Sequence, residues 1–216
     1  MDQRIKKLAR ILTDYSIKIK KGDLIELCFG IDAKELALEV YKLILKKGAI
    51  PVVHANVPGF AYAYYKYASE EQLKTFPKIA MYETKLTSGS ICIGAEVNTK
   101  ELTGIDPKRI ALRKKITKPI HDLEIKKDNW VYCEYPTNAL AQDAEMSLEE
   151  FEDFFYKATN IDYKELSRKQ DKLKRILDNG KEVRIKAKDT DLRFSIKGRK
   201  GIKCDGKRNI PDGEVF

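Results

Sequence analysis

The spacing of apolar positions along the chain changes period several times, and each change marks an element. Ile5, Leu8, Ala9, Leu12 and Tyr15 recur at helical spacing, which predicts a helix over residues 2–16. Lys21-Gly22-Asp23 then signals a turn, and Leu24 to Phe29 forms an unbroken apolar run of strand length. Asp32 stands where a helix cap belongs. Leu36, Ala37, Val40, Tyr41 and Ile44 follow on one helical face, and Gly48 closes the helix. The next strand is "AIPVVHANV". A strand, a helix and a strand joined this tightly predict parallel pairing.

The same alternation continues. "PGFAYAYYKYAS" reads as a short aromatic helix or loop, residues 69–86 as a helix opening at Ser69, and "GSICIGAE" as a third strand. Asp106-Pro107 opens a helix expected to run to about residue 120, and "NWVYCEYPT" is a fourth strand. Ser147 with Glu150 forms a capping box ahead of Phe151, Phe154, Phe155 and Ala158. A last helix begins near Asp162 and stops at Asn179-Gly180. The expected class is therefore α/β, a parallel sheet flanked by helices on both faces, over residues 1–180.

Beyond Gly180 the period falls to two. Val183, Ile185 and Ala187 alternate with Arg184 and Lys186, and Leu192, Phe194 and Ile196 alternate with Arg193, Ser195 and Lys197. "KDTD" between the runs reads as a hairpin turn, and "GIKCDG" as one more short strand. Residues 181–216 are thus expected to be antiparallel. A meander this small is marginal alone, so it must dock on the first domain or open a second, β-rich one. An exposed edge and an uncovered apolar face are expected there.

Charge adds little to this organisation. The chain holds 42 Lys and Arg against 33 Asp and Glu, a net charge of +9. Lys197, Arg199, Lys200, Lys203, Lys207 and Arg208 concentrate part of it in the 197–208 segment, which leaves a nucleic-acid binder as one alternative function. No nucleic-acid motif accompanies these residues, and a solvated lysine-rich surface explains them more simply. No apolar run approaches the roughly 20 residues of a membrane helix, and the amphipathic N-terminus lacks the pattern of a secretory signal. A cytoplasmic protein without nucleic-acid or membrane partners is expected.

Most signals for chemistry are negative. Phosphate-loop, dinucleotide-binding, zinc-protease helix and nucleophile-elbow patterns are all missing from the sequence. Cys28, Cys92, Cys133 and Cys204 are widely spaced. The first three sit in apolar runs and read as buried free thiols in strands. His54, in a strand, reads as a satisfied core residue, and His121 as a helix-end residue answering the dipole. Glu149 and Glu150 belong to the capping box, and Asp189 and Asp191 to the hairpin.

What remains is "CDGKRNIPDGEVF", where Cys204, Asp205, Asn209, Asp212 and Glu214 crowd together. Asp205-Gly206 and Asp212-Gly213 are turn dipeptides, and Glu214 reads as an exposed strand residue or as one oxygen ligand of a metal. A hydrolytic metal needs about three protein ligands, and the sequence shows no obvious cluster to supply the others.

Longer stretches carry a resemblance. "KLARILTDYSIKIKKGD", "WVYCEYPTNALAQDAEMSLEEFEDFFYKA", "DYKELSRKQDKLK" and "TDLRFSIKGRKGIKCDGKRNIPDGEVF", with "ELALEVYKLILKKGAIPVV" more loosely, resemble the N-terminal part of the thermophilic-type metalloaminopeptidases, the family of aminopeptidase T, aminopeptidase S and their leucyl aminopeptidase relatives. The resemblance implies an α/β N-terminal domain, here 1–180, and a β-rich catalytic domain whose first antiparallel strands are 181–216. It implies a divalent metal pair (cobalt, zinc or magnesium), removal of N-terminal residues from peptide substrates, and a homodimer. By the "GEVF" motif it makes Glu214 a metal ligand. The family's remaining ligands, a second glutamate, two histidines and an aspartate with a tyrosine nearby, lie beyond that motif. The expectation is a fragment or truncated frame that is catalytically incomplete, with no catalytic residue of its own. A non-catalytic α/β interaction module is the other alternative.

Overall fold

A computed structural model describes residues 2–216. Five strands make one all-parallel sheet in the order β2-β1-β3-β4-β7. They are β1 (Leu24–Gly30), β2 (Ile50–Asn56), β3 (Gly89–Gly94), β4 (Trp130–Glu134) and β7 (Asn209–Ile210). A separate antiparallel hairpin joins β5 (Glu182–Ala187) to β6 (Thr190–Ser195). The strand order reverses between β1 and β3. A cleft of about 850 Å³ opens there at the carboxyl ends of the strands, beside Gly30, Asn56, Phe60, Cys92 and Glu96. That is where open α/β sheets leave room between diverging connections.

The two faces of this sheet differ chemically. Ile25 and Leu27 of β1, Ile91 and Ile93 of β3, and Val131 and Cys133 of β4 belong to the main core. Leu8 of α1 (Gln3–Arg10) and Leu36, Val40 and Ile44 of α2 (Lys34–Lys46) belong to the same core, as does Leu12 just beyond α1. Full burial of such a side chain stabilises by about 1.5–3 kcal/mol. Since strand side chains alternate, the other face presents Glu26, Cys28, Ser90, Cys92, Tyr132 and Glu134. Helices α5 (Lys78–Leu86) and α6 (Pro107–Lys127) bring Glu83, Glu124 and Lys127 towards it. The second face is therefore the more polar one, with Val52 and Trp130 among its apolar members. Cys28 and Cys92 are only partly buried, against the expectation of core thiols, while Cys133 is in the core.

Several boundaries move for local reasons. The first helix continues past Arg10 as a wider π-turn over Ile11–Ser16, where the buried Thr13 hydroxyl donates back to Ala9 O at 2.9 Å. Between β2 and β3 lie α3 (Phe60–Tyr67), α4 (Glu70–Lys74) and α5. Ser69 caps as expected, in a capping box with Gln72, but Pro77 divides the segment into two helices. By contrast α6 carries Pro119 and runs on to Lys127, so His121 lies within a helix, exposed, and not at its end. Then come α7 (Asn138–Asp143), α8 (Leu148–Thr159) with its Ser147–Glu150 capping box, and α9 (Tyr163–Asn179).

Antiparallel pairing over all of 181–216 is not what forms. The hairpin turns at Asp189, which has φ 56°, and the Arg184 guanidinium grips Asp191 across it at 2.6 Å. Its apolar positions remain uncovered, with Ile185 47%, Leu192 52% and Phe194 44% exposed. "GIKCDG" contributes a single antiparallel bridge, Lys203 with Val215. Asn209–Ile210 instead returns to the first sheet and extends it beside β4 in parallel, with Ile210 buried.

Candidate metal centre

Residues 202–216 fold back on themselves and onto α9. Ile202 N donates to Phe216 O at 2.6 Å, Phe216 N to Ile202 O at 3.0 Å, and Cys204 N to Glu214 O at 3.0 Å. This register sets Cys204 opposite Glu214. Gln170, buried on α9, holds both sides of the bridge: its Nε2 donates to Cys204 O at 2.6 Å and to Glu214 O at 3.1 Å. Ser167 and Asp171, also on α9, receive Lys203, and the Ser167 hydroxyl donates to the buried Asp205 at 2.9 Å. Gly206 has φ 84°, and a side chain there would run into the Tyr163 ring, so the turn requires glycine. Its carbonyl accepts from the buried Ser16 hydroxyl at 2.6 Å.

This frame gathers three ligand atoms. Cys204 Sγ, one Asp212 oxygen and one Glu214 oxygen all lie within 4.8 Å of one another. Asp212 is oriented by Gly206 N, which donates to its Oδ2 at 2.9 Å. Burial raises the Asp212 carboxyl above the ordinary range, opposed by the backbone N–H of Gly206 and helped by the charge of Glu214. Burial and then the Glu214 carboxylate push the Cys204 thiol up to about 11, so it is neutral at pH 7. One thiol and two carboxylates suit one borderline divalent ion, and too few donors are present for a pair.

The sequence singled out Glu214 and found no partners for it. The structure brings Cys204 and Asp212 beside it. Both stood in the same short stretch, but only the bridge between residues 203 and 215 and the turn between them aim them at one point. Gln170 had no sequence signal, since its role comes from packing against a segment more than thirty positions later. His54 lies outside this group. It is an exposed residue of the edge strand β2 and donates through Nε2 to Glu83 of α5, which corrects its reading as a core histidine. Cys28 and Cys92 are register partners on β1 and β3. The Cys92 thiol lowers the Cys28 thiol below its ordinary value, opposed by burial and helped by Asn56 Nδ2 at 3.3 Å.

The parallel α/β sheet and the Cys204–Asp212–Glu214 cluster beside β7 have a counterpart among known families. The sequence profile described as "Thermophilic metalloprotease (M29)" matches residues 1–216, and the chain belongs to that family. Among solved structures, wild-type AmpT from Thermus thermophilus is similar, with a TM-score of 0.75 at 16% sequence identity. The match covers 99% of this chain and 60% of that one, so this chain spans less than two thirds of the AmpT length. At that identity the likeness is one of fold. No curated protein matches the sequence.

Proposed function

We propose that this chain belongs to a metal-dependent aminopeptidase that removes N-terminal residues from peptides, and that Glu214 is a ligand of its divalent metal centre. The observation that carries the reading is the convergence of Glu214 with Asp212 and Cys204, in a chain of the thermophilic metalloprotease family. Residues 1–180 serve in this reading as an α/β scaffold and 181–216 as the start of the catalytic part, stitched together through β7 and α9. Cys204, Asp212 and Glu214 would hold one divalent ion (cobalt, zinc or magnesium) of the pair the family resemblance implies, and such a pair, completed by ligands this cluster lacks, would polarise a scissile carbonyl and acidify water.

The chain's own residues prepare one corner of that centre. Gln170 and the 203–215 bridge fix the backbone that carries Glu214. The Gly206 N–H fixes Asp212, and the Cys204 thiol lies against the Glu214 carboxylate, so that taking a metal there would release the thiol proton. Among the described residues no histidine joins this cluster. The reading therefore includes that the 216-residue chain by itself hydrolyses no aminoacyl substrate. It also includes a cytoplasmic setting, supported by four free thiols, and a homodimer, supported by uncovered apolar residues such as Phe60, Ile79 and Phe194.

The test has two arms. Zinc, cobalt and magnesium are titrated into the chelator-treated chain and into Glu214→Gln, and leucine release from leucyl p-nitroanilide is followed with each metal. The expected result is metal uptake that weakens in Glu214→Gln, with no leucine released by either protein. Uptake unchanged by the substitution would remove Glu214 from the centre. Robust metal-dependent release by the chain alone would overturn the one-corner reading.

A further inference from the structure

A second group of potential ligands lies at the opposite edge of the sheet from β7. Alternation along β1 points Glu26 and Cys28 away from the core. Parallel register sets Glu26 beside Val52 and Cys28 beside His54, so His54 shares their face one step further along β2. Helix α5 carries Glu83 to the same place, and the His54 ring donates to it. One atom each from Glu26, His54 and Glu83 lie within 4.8 Å of one another. The three side chains come from two paired strands and a helix, which hold them more firmly than loops would.

Charge and access also favour a cation. Glu26, Glu83 and Glu124 converge here around His54, with Lys127 also nearby. The Lys127 ammonium is already engaged by the carbonyls of Thr84 and Thr87 at the end of α5 and by Thr87 Oγ1 at 3.1 Å. The His54 and Glu83 side chains are 45% and 27% exposed, so an ion can enter and keep solvent ligands. Imidazole nitrogen with two carboxylate oxygens suits zinc and neighbouring transition ions. Calcium and magnesium favour all-oxygen shells.

We infer that Glu26, His54 and Glu83 bind one divalent transition-metal ion, of which zinc is representative, at a site separate from the Glu214 cluster. Three protein ligands leave zinc a further position for water. The site also ties α5 to the edge of the sheet, so its occupation stabilises the folded chain by linkage.

The experiment is calorimetric titration of zinc into the chelator-stripped full chain, repeated with His54→Ala, Glu83→Gln and Glu214→Gln. Crystals soaked in zinc are then examined at the zinc absorption edge. The expected result is a binding event that persists in Glu214→Gln and weakens in both other variants. The loss should be at least the roughly 10–100-fold seen when mere supporting residues of metal sites are removed. The anomalous peak is expected between His54 and Glu83. Because both side chains are partly exposed, neither substitution empties the core, and a metal-free melt confirms folding. If either variant folds poorly, the other and the crystal carry the test. Zinc affinity unchanged in His54→Ala and Glu83→Gln, no zinc binding by the unsubstituted chain, or zinc seen only against Cys204, Asp212 and Glu214 would each overturn the inference.

Discussion

Glu134 shows how one residue can record a conflict between alternation and burial. It ends β4 on the polar face, where Tyr132 Oη donates to its Oε1, while its Oε2 is buried with no hydrogen-bond partner. Gly94 on β3 leaves the space it occupies, since a side chain there would run into the carboxylate. Burial raises the Glu134 carboxyl, partly offset by the Tyr132 hydroxyl and reinforced by the charge of Glu96. A carboxyl whose folded pKa exceeds its unfolded one costs stability once ionised, and that cost is relieved as pH falls through the folded value. Glu134→Gln keeps an acceptor for Tyr132 and removes the charge. It should melt higher than the parent at pH 7, with the gap closing towards about pH 4, where carboxyls protonate. Parallel melting curves for the two proteins at both pH values would show that Glu134 is not under this strain.

Among the elements, α9 does most to shape the candidate centre. Its outer face is charged, with Lys169 pairing Glu165 and Lys174 pairing Asp178 one turn apart. Its inner face carries Tyr163, stacked on Tyr15 at 5.7 Å, and Gln170, clamped to the carbonyls of Cys204 and Glu214. Gln170→Ala removes the amide that serves Cys204 O, a loss of about 1–3 kcal/mol if the carbonyl stays buried and unpaired. Urea unfolding should show that loss, and amide exchange at Cys204 should quicken ahead of exchange in β1 and β3. Unchanged stability with unchanged exchange at Cys204 would mean that the bridge between Lys203 and Val215 holds the segment unaided. The helix was legible from its Asp162 cap and its stop at Asn179-Gly180. The clamp was not, because a polar residue in a helix looks the same whether it faces water or another segment.

For the whole molecule, cohesion is uneven. The sheet and the helices α1 and α2 share one continuous core, which β7 joins through Ile210. The β5–β6 hairpin stands outside it, nearly all of its residues exposed. Stability is distributed accordingly, with local opening easiest where few apolar groups are buried. Brief trypsin digestion should therefore cut first within 181–200, at sites such as Lys186, Lys188 or Arg193, and leave a resistant core of earlier residues. Initial cleavage inside β1, β3 or α2 would reverse that ranking. A partner seated on Ile185, Leu192 and Phe194 would protect the same segment, so digestion also reports whether this face is covered in solution.

The strand–helix alternation, the parallel sheet, the capping residues Ser69, Ser147 and Asp162, and the hairpin all followed from the sequence alone. Each depends on local spacing and on backbone preferences of a few neighbouring residues. Glu214, too, was marked by the wording of its motif. Only the tertiary structure decided that the sheet has one apolar and one more polar face. It also decided that Asn209–Ile210 pairs with β4 in parallel, and that Cys204 and Asp212 meet Glu214 while His54 meets Glu26 and Glu83. Those contacts join residues distant along the chain. Their geometry is set by register and helix docking, which local sequence patterns do not encode.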